Sequence, residues 1–443
     1  MFTARDKSTG KIVLSNSGNL PKEAFIQTAK NIQPVSEEII IDDGKVQSAF
    51  GKASKPYYNQ RQICWTGSFS DLGGYANMNR EICLRLIHHG IYPRLEILKT
   101  AVQTDQTTTA VLRALASSKK DPDAPLVVGF TPMQINQKYS RVAFYTMMET
   151  QGIHAHFAST CNEYADEIWT PCKFYLDQFV KAGINKPSFL FPLGVNHRIY
   201  TPDAKYNPPV FENLQTNKKT MELPNVFKFM SLFGWSYRKG ADVLCRSFFK
   251  AFGATDDVAL VIYSRYMCSS AEVHKQFIRN EIAKYLKESG NEHPAHIFLC
   301  SEEIPICDLP GCYANSNCFV FCSRGEGFGL PVIEAGACGL PVISTFNTAM
   351  TQYLDDDVAY LIPIDRLSTA NEKLTWITEY YRDQLFPELG EESIALCSEM
   401  MKKVYKDNKE GLQKASNFRK RILAEYTWDE CASRVASRIK DWK

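Results

Sequence analysis

The amino-acid sequence predicts an α/β protein built from two lobes with a cleft between them. The chain has 443 residues, which at roughly 100–150 residues per domain is enough for two sizeable domains. Strand-length apolar runs alternate with helix-period stretches, a pattern typical of parallel sheets covered by helices. Residues 200–225, rich in Pro, Asn and Lys, interrupt this alternation, so we place the boundary between the lobes there.

The first 60 residues differ from the rest of the chain. Residues 4–16 have the pattern of two short strands around a Ser-Thr-Gly turn, and residues 37–50 have that of another hairpin. We therefore predict a β-rich extension at residues 1–60. Its possible roles are a solvated arm, a packing edge or a contact between copies in an oligomer.

The first α/β lobe is predicted at residues 61–205. Its clearest helix is 76–89, where Ile82 and Leu86 share one face and Gly90 supplies the stop. The predicted strands of this lobe are 63–67, 124–130, 166–171 and 188–194.

The second α/β lobe is predicted at residues 206–424 and repeats the same alternation. The chain then closes at residues 425–443 with an amphipathic helix, in which Val435, Ile439 and Trp442 recur at helical spacing. The predicted strands of the second lobe are 227–234, 257–264, 296–301, 318–323 and 340–345. Helices are predicted at about 239–252, from the strand at 257–264 through about Leu286, and at about 331–338.

The composition indicates which binding partners and which cellular compartment to expect. Lys and Arg number 51 and Asp and Glu 49, a net charge of +2, so a nucleic-acid partner is disfavoured. The 14 cysteines are spread along a long chain, and the start of the chain lacks an apolar segment of the length that secretion needs. We therefore expect a cytoplasmic protein without a transmembrane segment.

A glycine-rich loop between a strand and a helix is the most informative segment. The predicted strand ends at Ser323, the loop contains Gly325, Gly327 and Gly329, and the helix opens near Pro331. Backbone N–H groups at such a helix start suit an anionic or hydroxyl-rich ligand.

Two carboxylates flank this loop, Glu326 within it and Glu334 in the helix that follows. Buried carboxylates need a donor partner, and sugar or ribose hydroxyls are candidates. Set in E-G-F-G-L-P-x-x-E-A-x-A-x-G-x-P-V-I, the pair resembles the donor-site signature of glycosyltransferase family 4. That family is the large retaining group with the GT-B fold, two Rossmann-like domains facing across a cleft.

The resemblance implies which atoms contact the donor in the second lobe. Glu334 would accept from the ribose hydroxyls and Glu326 from hydroxyls of the hexose. The loop between them would line the donor through Gly327, Phe328, Gly329 and Leu330, the last two at the start of the helix.

A second segment, G-W-S-Y-R-K-G, resembles the family's phosphate-binding turn and implies that Lys239 holds the donor diphosphate. The family's arginine often follows the glycine directly, where this chain has Trp235. Three arginines therefore compete for the second charge. Arg265 is favoured with Arg324 in reserve, and Arg238 is as well explained as a solvated charge at a helix start.

In the first lobe, a double glycine at Gly73 and Gly74 resembles the family's first strand-to-helix loop. It would let the backbone approach the sugar and the cleft. A double glycine before a helix is also common in ordinary turns of α/β proteins, so this match is weaker than the glutamate signature.

The motif T-M-x-E-T places Thr146 and Glu149 where many family members carry a group beside the donor sugar, and Glu149 is the predicted catalytic candidate there. His154 and His156 follow in H-A-H. Their spacing could suit a metal on a strand, but no carboxylate or cysteine lies at a telling distance, so an exposed pair is favoured.

The resemblance also implies a mechanism. A UDP- or GDP-hexose would lose its diphosphate to the hydroxyl of a saccharide, glycoconjugate or protein acceptor, with retention of configuration. Lys239 and its arginine would stabilise the leaving group, so neither a metal nor another cofactor is expected. The run Asp355–Asp357 is interpreted as a turn, and the terminal helix is expected to cross back to the first lobe.

Two alternatives remain open on the sequence. One keeps the fold and changes the reaction to that of an epimerase or phosphorylase. The other is a non-catalytic protein that senses sugar nucleotides or acts as a scaffold.

Overall fold

The structure is a computed structural model that describes part of the chain. It describes only the backbone of residues 2–6, 12–16, 39–42, 47–50, 106–110, 265, 271, 272 and 274. It describes backbone and side chains for residues 61–71, 73–98, 111–264, 273, 275–364, 366–370, 381 and 384–442.

Four short strands near the start of the chain form an antiparallel sheet of order β2-β1-β3-β4. The pairing of β1 with β2 and of β3 with β4 corresponds to the two predicted hairpins. The assignment of residues 1–60 as a separate extension stays a prediction. The strands are β1 (Phe2–Asp6), β2 (Ile12–Asn16), β3 (Ile39–Asp42) and β4 (Gln47–Phe50).

The first lobe contains a six-stranded parallel sheet of order β10-β9-β8-β7-β5-β6. Strands β6 and β8 were not predicted, because β6 alternates apolar with polar residues around a proline and β8 has only four residues. The strands are β5 (Arg61–Gly67), β6 (Ile91–Ile97), β7 (Leu126–Gly129), β8 (Val142–Tyr145), β9 (Glu167–Thr170) and β10 (Ser188–Leu190).

The second lobe contains an eight-stranded sheet of order β12-β11-β15-β14-β13-β16-β17-β18. The predicted linker is not wholly irregular, because it supplies the antiparallel hairpin β11–β12 at the sheet edge. The strands are β11 (Phe211–Asn213), β12 (Lys218–Thr220), β13 (Phe227–Gly234), β14 (Val258–Arg265), β15 (His296–Cys300), β16 (Cys318–Phe321), β17 (Val342–Thr345) and β18 (Tyr360–Ile362).

A further antiparallel pair follows the second sheet and was not predicted. It joins β19 (Arg366–Thr369) to β20 (Leu385–Glu388). Leu385 also forms an isolated antiparallel bridge with Gln151 of the first lobe. The β19–β20 pair, which follows the second sheet in the chain, therefore contacts the first lobe.

Helices connect the strands, as the sequence pattern predicts. The first one stops after a 3₁₀ turn at Gly90, which has a left-handed φ of 77°. The helices are α1 (Gly74–Leu86), α2 (Gln106–Ser117), α3 (Ala155–Tyr164), α4 (Lys173–Lys181), α5 (Ala241–Ala251), α6 (Ala271–Ser289), α7 (Leu309–Ala314), α8 (Leu330–Ala337), α9 (Glu391–Lys406), α10 (Lys409–Glu425) and α11 (Trp428–Lys440).

Burial follows from this layered arrangement. Every residue of β7, β8, β16 and β17 is buried, as expected for parallel strands covered by helices on both faces. Among the described helices, none combines the length and the apolar character that crossing a bilayer requires.

The last helix, α11, packs on the first lobe around a buried carboxylate. Glu167 on β9 is fully buried and accepts from Arg438 Nη2 at 2.7 Å and from Trp442 Nε1 at 3.1 Å. The Trp442 ring also stacks on Trp169 at 5.5 Å between centroids. Because a buried carboxylate needs charge-assisted partners, this ion pair ties the chain terminus to the first sheet.

Replacement of Arg438 by methionine tests this attachment. Methionine keeps the apolar stem but leaves Glu167 without its strongest cation, so we expect a loss of about 3 kcal/mol in unfolding free energy. Urea denaturation measures the loss. Arg434→Met is the matched control, because its pair with Glu430 on the same helix is solvent-exposed and contributes about 0.5 kcal/mol. Equal stability of the two variants would contradict the assigned role.

Candidate functional site

The six-stranded and the eight-stranded sheet each have a point at which the chain reverses its direction of winding. In the second sheet β13 is followed by β14 and β15 on one side, whereas β16, β17 and β18 continue on the other. In the first sheet the same division falls between β5 and β7. Ligands of open α/β sheets bind beyond the carboxyl ends of the strands at such a point.

The turn after β13 and the loop after β16 bring opposite charges together at this point of the second sheet. Lys239 Nζ lies 2.5 Å from Glu326 Oε1, and Arg238 Nη1 lies 3.1 Å from the same oxygen. Ser323 Oγ donates to it at 2.6 Å. Arg238 Nη1 also donates to the backbone oxygen of Gly325 at 2.6 Å. Glu326 and the two cations are therefore held by one hydrogen-bonded network.

Glu149 adds a carboxylate from the first lobe. Its Oε1 lies 3.1 Å from Arg238 Nη2, and its Oε2 accepts from the hydroxyl of Tyr381. We call Glu149, Arg238, Lys239 and Glu326 the ion-pair cluster. The structure thus brings together the three predicted catalytic residues and adds Arg238 between the two carboxylates.

Within the cluster, burial and the oppositely charged neighbours shift the pKa values in opposite directions. Burial would raise the pKa of Glu326, but the positive charges of Lys239 and Arg238 outweigh it and hold the pKa below its ordinary value. Burial and the neighbouring Arg238 lower the pKa of Lys239, against the opposing effect of Glu326. The lowered pKa keeps Glu326 ionised, with the positive charges beside it.

The backbone of Glu326 is held by two hydrogen bonds. Its N–H donates to Thr348 Oγ1 at 3.0 Å, and its carbonyl accepts from the Tyr175 hydroxyl of the first lobe at 3.1 Å. Thr348 has a φ of 42°, which is strained for a β-branched residue and typical of functional sites. Gly329 follows at a φ of 84°, a conformation suited to glycine.

The loop glycines allow the two lobes to touch. A Cβ at Gly325 would lie 1.8 Å from the backbone oxygen of Glu149, and one at Gly327 would lie 2.6 Å from Met147 Sδ. A side chain at Gly325 would push the backbones of the two lobes apart, and one at Gly327 would displace the Met147 side chain. The predicted role of Gly327 at the donor is untested, whereas its role in close packing between the lobes follows directly from the geometry.

Phe328 and Leu330, both predicted to line the donor, flank Gly329 at the start of α8. The Phe328 ring is buried 5.3 Å from the Tyr353 ring, and its carbonyl accepts from the Tyr353 hydroxyl at 2.7 Å. Leu330 is the first residue of α8. Since the Phe328 side chain belongs to the core, contact with a ligand would have to come from the main chain.

Gly73 and Gly74 lie at the corresponding point of the first sheet, directly at the start of α1. Both are exposed, and space is open around the position of a Cβ at Gly74. The next residue, Tyr75, donates from its hydroxyl to the backbone oxygen of Met147 at 3.1 Å. This hydrogen bond ties the glycine loop to the segment that carries Glu149.

Glu334 is buried one turn into α8 and has tyrosine partners instead of cations. It accepts from the Tyr313 hydroxyl at 2.9 Å and from the Tyr200 hydroxyl. Burial raises the pKa of Glu334 to about 7, against the lowering effect of these hydrogen bonds. The structure therefore places the two signature glutamates in contrasting environments, one beside cations and the other among neutral hydroxyls.

The structure describes the side chains of two of the three candidate arginines, Arg238 and Arg324. Arg324 is buried and its terminal nitrogens are committed to Asp242, at 2.9 and 2.6 Å, and to the backbone oxygen of Tyr237 at 2.7 Å. Arg265 ends β14, and its side chain lies outside the described residues. Arg238, not Arg324, accompanies Lys239.

Trp235 occupies the position at which the family resemblance expects an arginine. Trp235 is buried, with its ring 5.7 Å from that of Phe233. An arginine there would have to bury its charge in an aromatic environment. Arg238 and Lys239 stand side by side in a 3₁₀ turn of residues 237–239, a juxtaposition that could have indicated the second cation.

The remaining candidates have structural explanations. His154 caps α3, because its Nδ1 accepts from the backbone N–H of His156 at 3.1 Å. Asp355 Oδ1 accepts from the N–H of Asp357 at 3.0 Å within the predicted turn. No group of His, Cys, Asp and Glu able to hold a metal ion occurs among the described residues. Thr146 is buried beside the Tyr75 hydroxyl, at 3.3 Å.

Part of the chain matches a known protein family. Residues 224–378 match the family described as glycosyl transferases group 1. An uncharacterized glycosyltransferase of Sulfolobus islandicus rod-shaped virus 1 is 29% identical over 153 residues, 34% of this chain and 39% of the relative. A probable sucrose-phosphate synthase of Thermosipho melanesiensis is 25% identical over 288 residues, 65% of this chain and 55% of the relative. The chain spans less than two thirds of either relative.

Solved structures show the fold of the chain. Sucrose-phosphate synthase of Thermosynechococcus elongatus aligns with a TM-score of 0.60 at 15% identity, covering 86% of this chain and 98% of the other. HepE of Anabaena, in complex with UDP and glucose, aligns with a TM-score of 0.58 at 10% identity, covering 86% and 100%. The predicted GT-B fold is therefore confirmed, while the residue roles stay predictions.

The environment of Glu334 predicts a pH-dependent stability. Its folded pKa of about 7 exceeds the ordinary value near 4.5, so the folded state binds the proton more tightly. This stabilisation is complete below pH 4.5 and is lost as the pH rises through 7. Relative to Glu334→Gln, the wild-type unfolding free energy should fall by roughly 2 kcal/mol between pH 5 and 8.

Urea denaturation of the wild type and of Glu334→Gln across this pH range measures the difference. Glutamine retains an acceptor for Tyr313 but cannot ionise. Glu399→Gln, at an exposed position of α9, is the control and should run parallel to the wild type. A pH-independent difference between the wild type and Glu334→Gln would show that Glu334 does not titrate in this range.

Proposed function

We propose that this chain is a glycosyltransferase that transfers a hexose from a nucleoside diphosphate-sugar to an acceptor hydroxyl. The observation that carries the proposal is the ion-pair cluster at the reversal point of the second sheet. Lys239 and Arg238 are two adjacent cations at the carboxyl end of β13, within the segment that matches the glycosyl transferases group 1. A diphosphate is the ligand whose charge matches this pair.

The donor is proposed to be a UDP- or GDP-hexose held mainly by the second lobe. The complex of HepE with UDP and glucose supports this class of donor, because that protein shares the fold. Lys239 and Arg238 would bind the diphosphate, Glu326 the hexose hydroxyls and Glu334 the ribose hydroxyls. The backbone of residues 327–330 would line the donor, and Gly73 and Gly74 would face it from the first lobe.

The reaction replaces the bond between the anomeric carbon and the diphosphate oxygen by a bond to the acceptor oxygen. Negative charge grows on the leaving diphosphate while positive charge develops at the anomeric carbon. Lys239 and Arg238 would stabilise the former, and they are preorganised by their contacts with the carboxylates of the cluster. The acceptor proton would leave with the diphosphate or pass to solvent.

Water exclusion follows from the contact between the lobes. The loop at Gly325 and Gly327 packs directly on the segment of Met147 and Glu149. A donor enclosed there would be shielded from hydrolysis. Donor entry then requires the lobes to separate, so opening of the cleft is part of the proposed cycle.

Retention of configuration and membership of glycosyltransferase family 4 are proposed on the signature E-G-F-G-L-P-x-x-E alone. The acceptor is proposed to be a saccharide, glycoconjugate or protein hydroxyl. Location in the cytoplasm and oligomer formation through residues 1–60 stay predictions of the sequence.

Turnover of a donor panel tests the proposed function. Purified protein is incubated with UDP- and GDP-hexoses and a glycan panel, with nucleotide release and product mass measured and the anomeric configuration read by NMR. Lys239→Ala and Glu326→Gln should each lower kcat about 100-fold or more, since each removes a preorganised charge of the site. Glu334→Gln should weaken donor binding.

Matched controls come from the same lobe. Lys250→Ala on α5 and Glu399→Gln on α9 change the same residue types at exposed positions, so both should retain wild-type turnover. A wild-type protein that neither releases nucleotide nor binds any donor would contradict the proposed function.

Removal of divalent metal provides an independent test of the leaving-group assignment. If Lys239 and Arg238 neutralise the diphosphate, excess EDTA should leave kcat unchanged within about twofold, because the protein supplies the charge that a metal would otherwise supply. A loss of activity that added Mg²⁺ or Mn²⁺ restores would refute this assignment without refuting transferase activity.

A further inference from the structure

The β19–β20 pair reaches from the second lobe to the segment that carries Glu149. The N–H of Gln151 donates to the backbone oxygen of Leu385 at 2.9 Å, and the N–H of Leu385 donates back at 3.0 Å. Beside this bridge, the hydroxyl of Thr150 is hydrogen-bonded to the side chain of Gln384. Consecutive residues of the first lobe are thus held by the second lobe next to the ion-pair cluster.

Tyr381 extends this contact to the Glu149 carboxylate. Its hydroxyl donates to Oε2, while Oε1 lies 3.1 Å from Arg238 Nη2. The two carboxylate oxygens therefore have different partners, one a neutral hydroxyl and the other a guanidinium. With partners on both sides, the carboxylate plane has one preferred orientation.

Tyr381 is itself rigidly placed. Its side chain is 2% exposed and its ring packs edge to face on the buried Phe386, with centroids 5.4 Å apart. Its carbonyl accepts from the N–H of Gln384 at 3.2 Å, and the carbonyl of Gln384 accepts from Ala370 at 2.8 Å. The hydroxyl therefore reaches Glu149 from a buried ring that lies in a turn shortly before β20.

Glu149 differs from its counterpart in the cluster, because 32% of its side chain is exposed whereas only 7% of that of Glu326 is. A half-exposed carboxylate samples several rotamers unless a neighbour holds it. If Glu149 moved, Arg238 would lose this ion pair with the first lobe. Fewer contacts, those of its Nη1 with Glu326 and Gly325 among them, would then hold its guanidinium where the diphosphate is proposed to bind.

We propose that Tyr381 is a positioning residue for the transfer reaction, which orients Glu149 so that Glu149 holds Arg238 at the leaving group. The inference rests on the proposed function. Tyr381 does not contact the donor in this arrangement. Its effect belongs mainly to the rate of the chemical step, because the diphosphate gains negative charge in the transition state and then depends on the position of Arg238 more than the bound donor does.

Tyr381→Phe tests the inference, because phenylalanine keeps the ring on Phe386 and removes only the hydroxyl. We expect kcat to fall about tenfold while the KM for the donor changes less than about twofold. Tyr285→Phe is the matched control, since it removes a tyrosine hydrogen bond to a glutamate, Glu281, within helix α6 at 2.7 Å. The control should retain both constants.

A double-mutant cycle separates positioning from a general effect on the fold. In a Glu149→Gln background, where the carboxylate charge is absent, Tyr381→Phe should lower kcat less than twofold further. Loss of the same factor in both backgrounds would overturn the inference, as would an unchanged kcat of Tyr381→Phe alone. A wild-type chain without any turnover would instead overturn the proposed function and the inference together.

Discussion

The guanidinium of Arg238 joins a carboxylate of each lobe, Glu149 on one side and Glu326 on the other. This bridge is largely buried, so each charge depends on the others for compensation. Lys239 completes the balance with a contact to Glu326 of 2.5 Å. Two cations and two carboxylates then share a region from which water is mostly excluded. Their pairing across the lobes fixes where the lobes meet.

The ion-pair cluster also requires the two lobes to lie close together. Gly325 and Gly327 leave no room for a side chain against the first lobe, and the Tyr175 hydroxyl reaches across to the carbonyl of Glu326. The β19–β20 pair closes the same region from a third direction through Leu385. The ion-pair cluster and the close packing of the lobes therefore depend on each other. The glycine loop allows the lobes to touch, and the ion pairs orient them relative to each other.

Most of the fold could be predicted, because apolar periodicity along the chain reports burial on both faces of a sheet. Strands such as β13 and β16 and the helix after Gly329 were indicated in this way. Strands β6 and β8 were missed, since one alternates around a proline and the other is too short for its period to be evident. The β19–β20 pair was missed because its residues follow neither period clearly.

For the site, the sequence by itself determined the α/β class, the two lobes, and the loops that carry Glu326, Lys239 and Glu149, because those depend on local pattern and motif. Only the tertiary structure decided which arginine joins them. The sequence placed Arg324 ahead of Arg238, but Asp242 pairs with Arg324, whereas Arg238 contacts Glu149 and Glu326 in the cluster. Pairing of charges is a property of distances across strands and lobes, and spacing along the chain does not encode it.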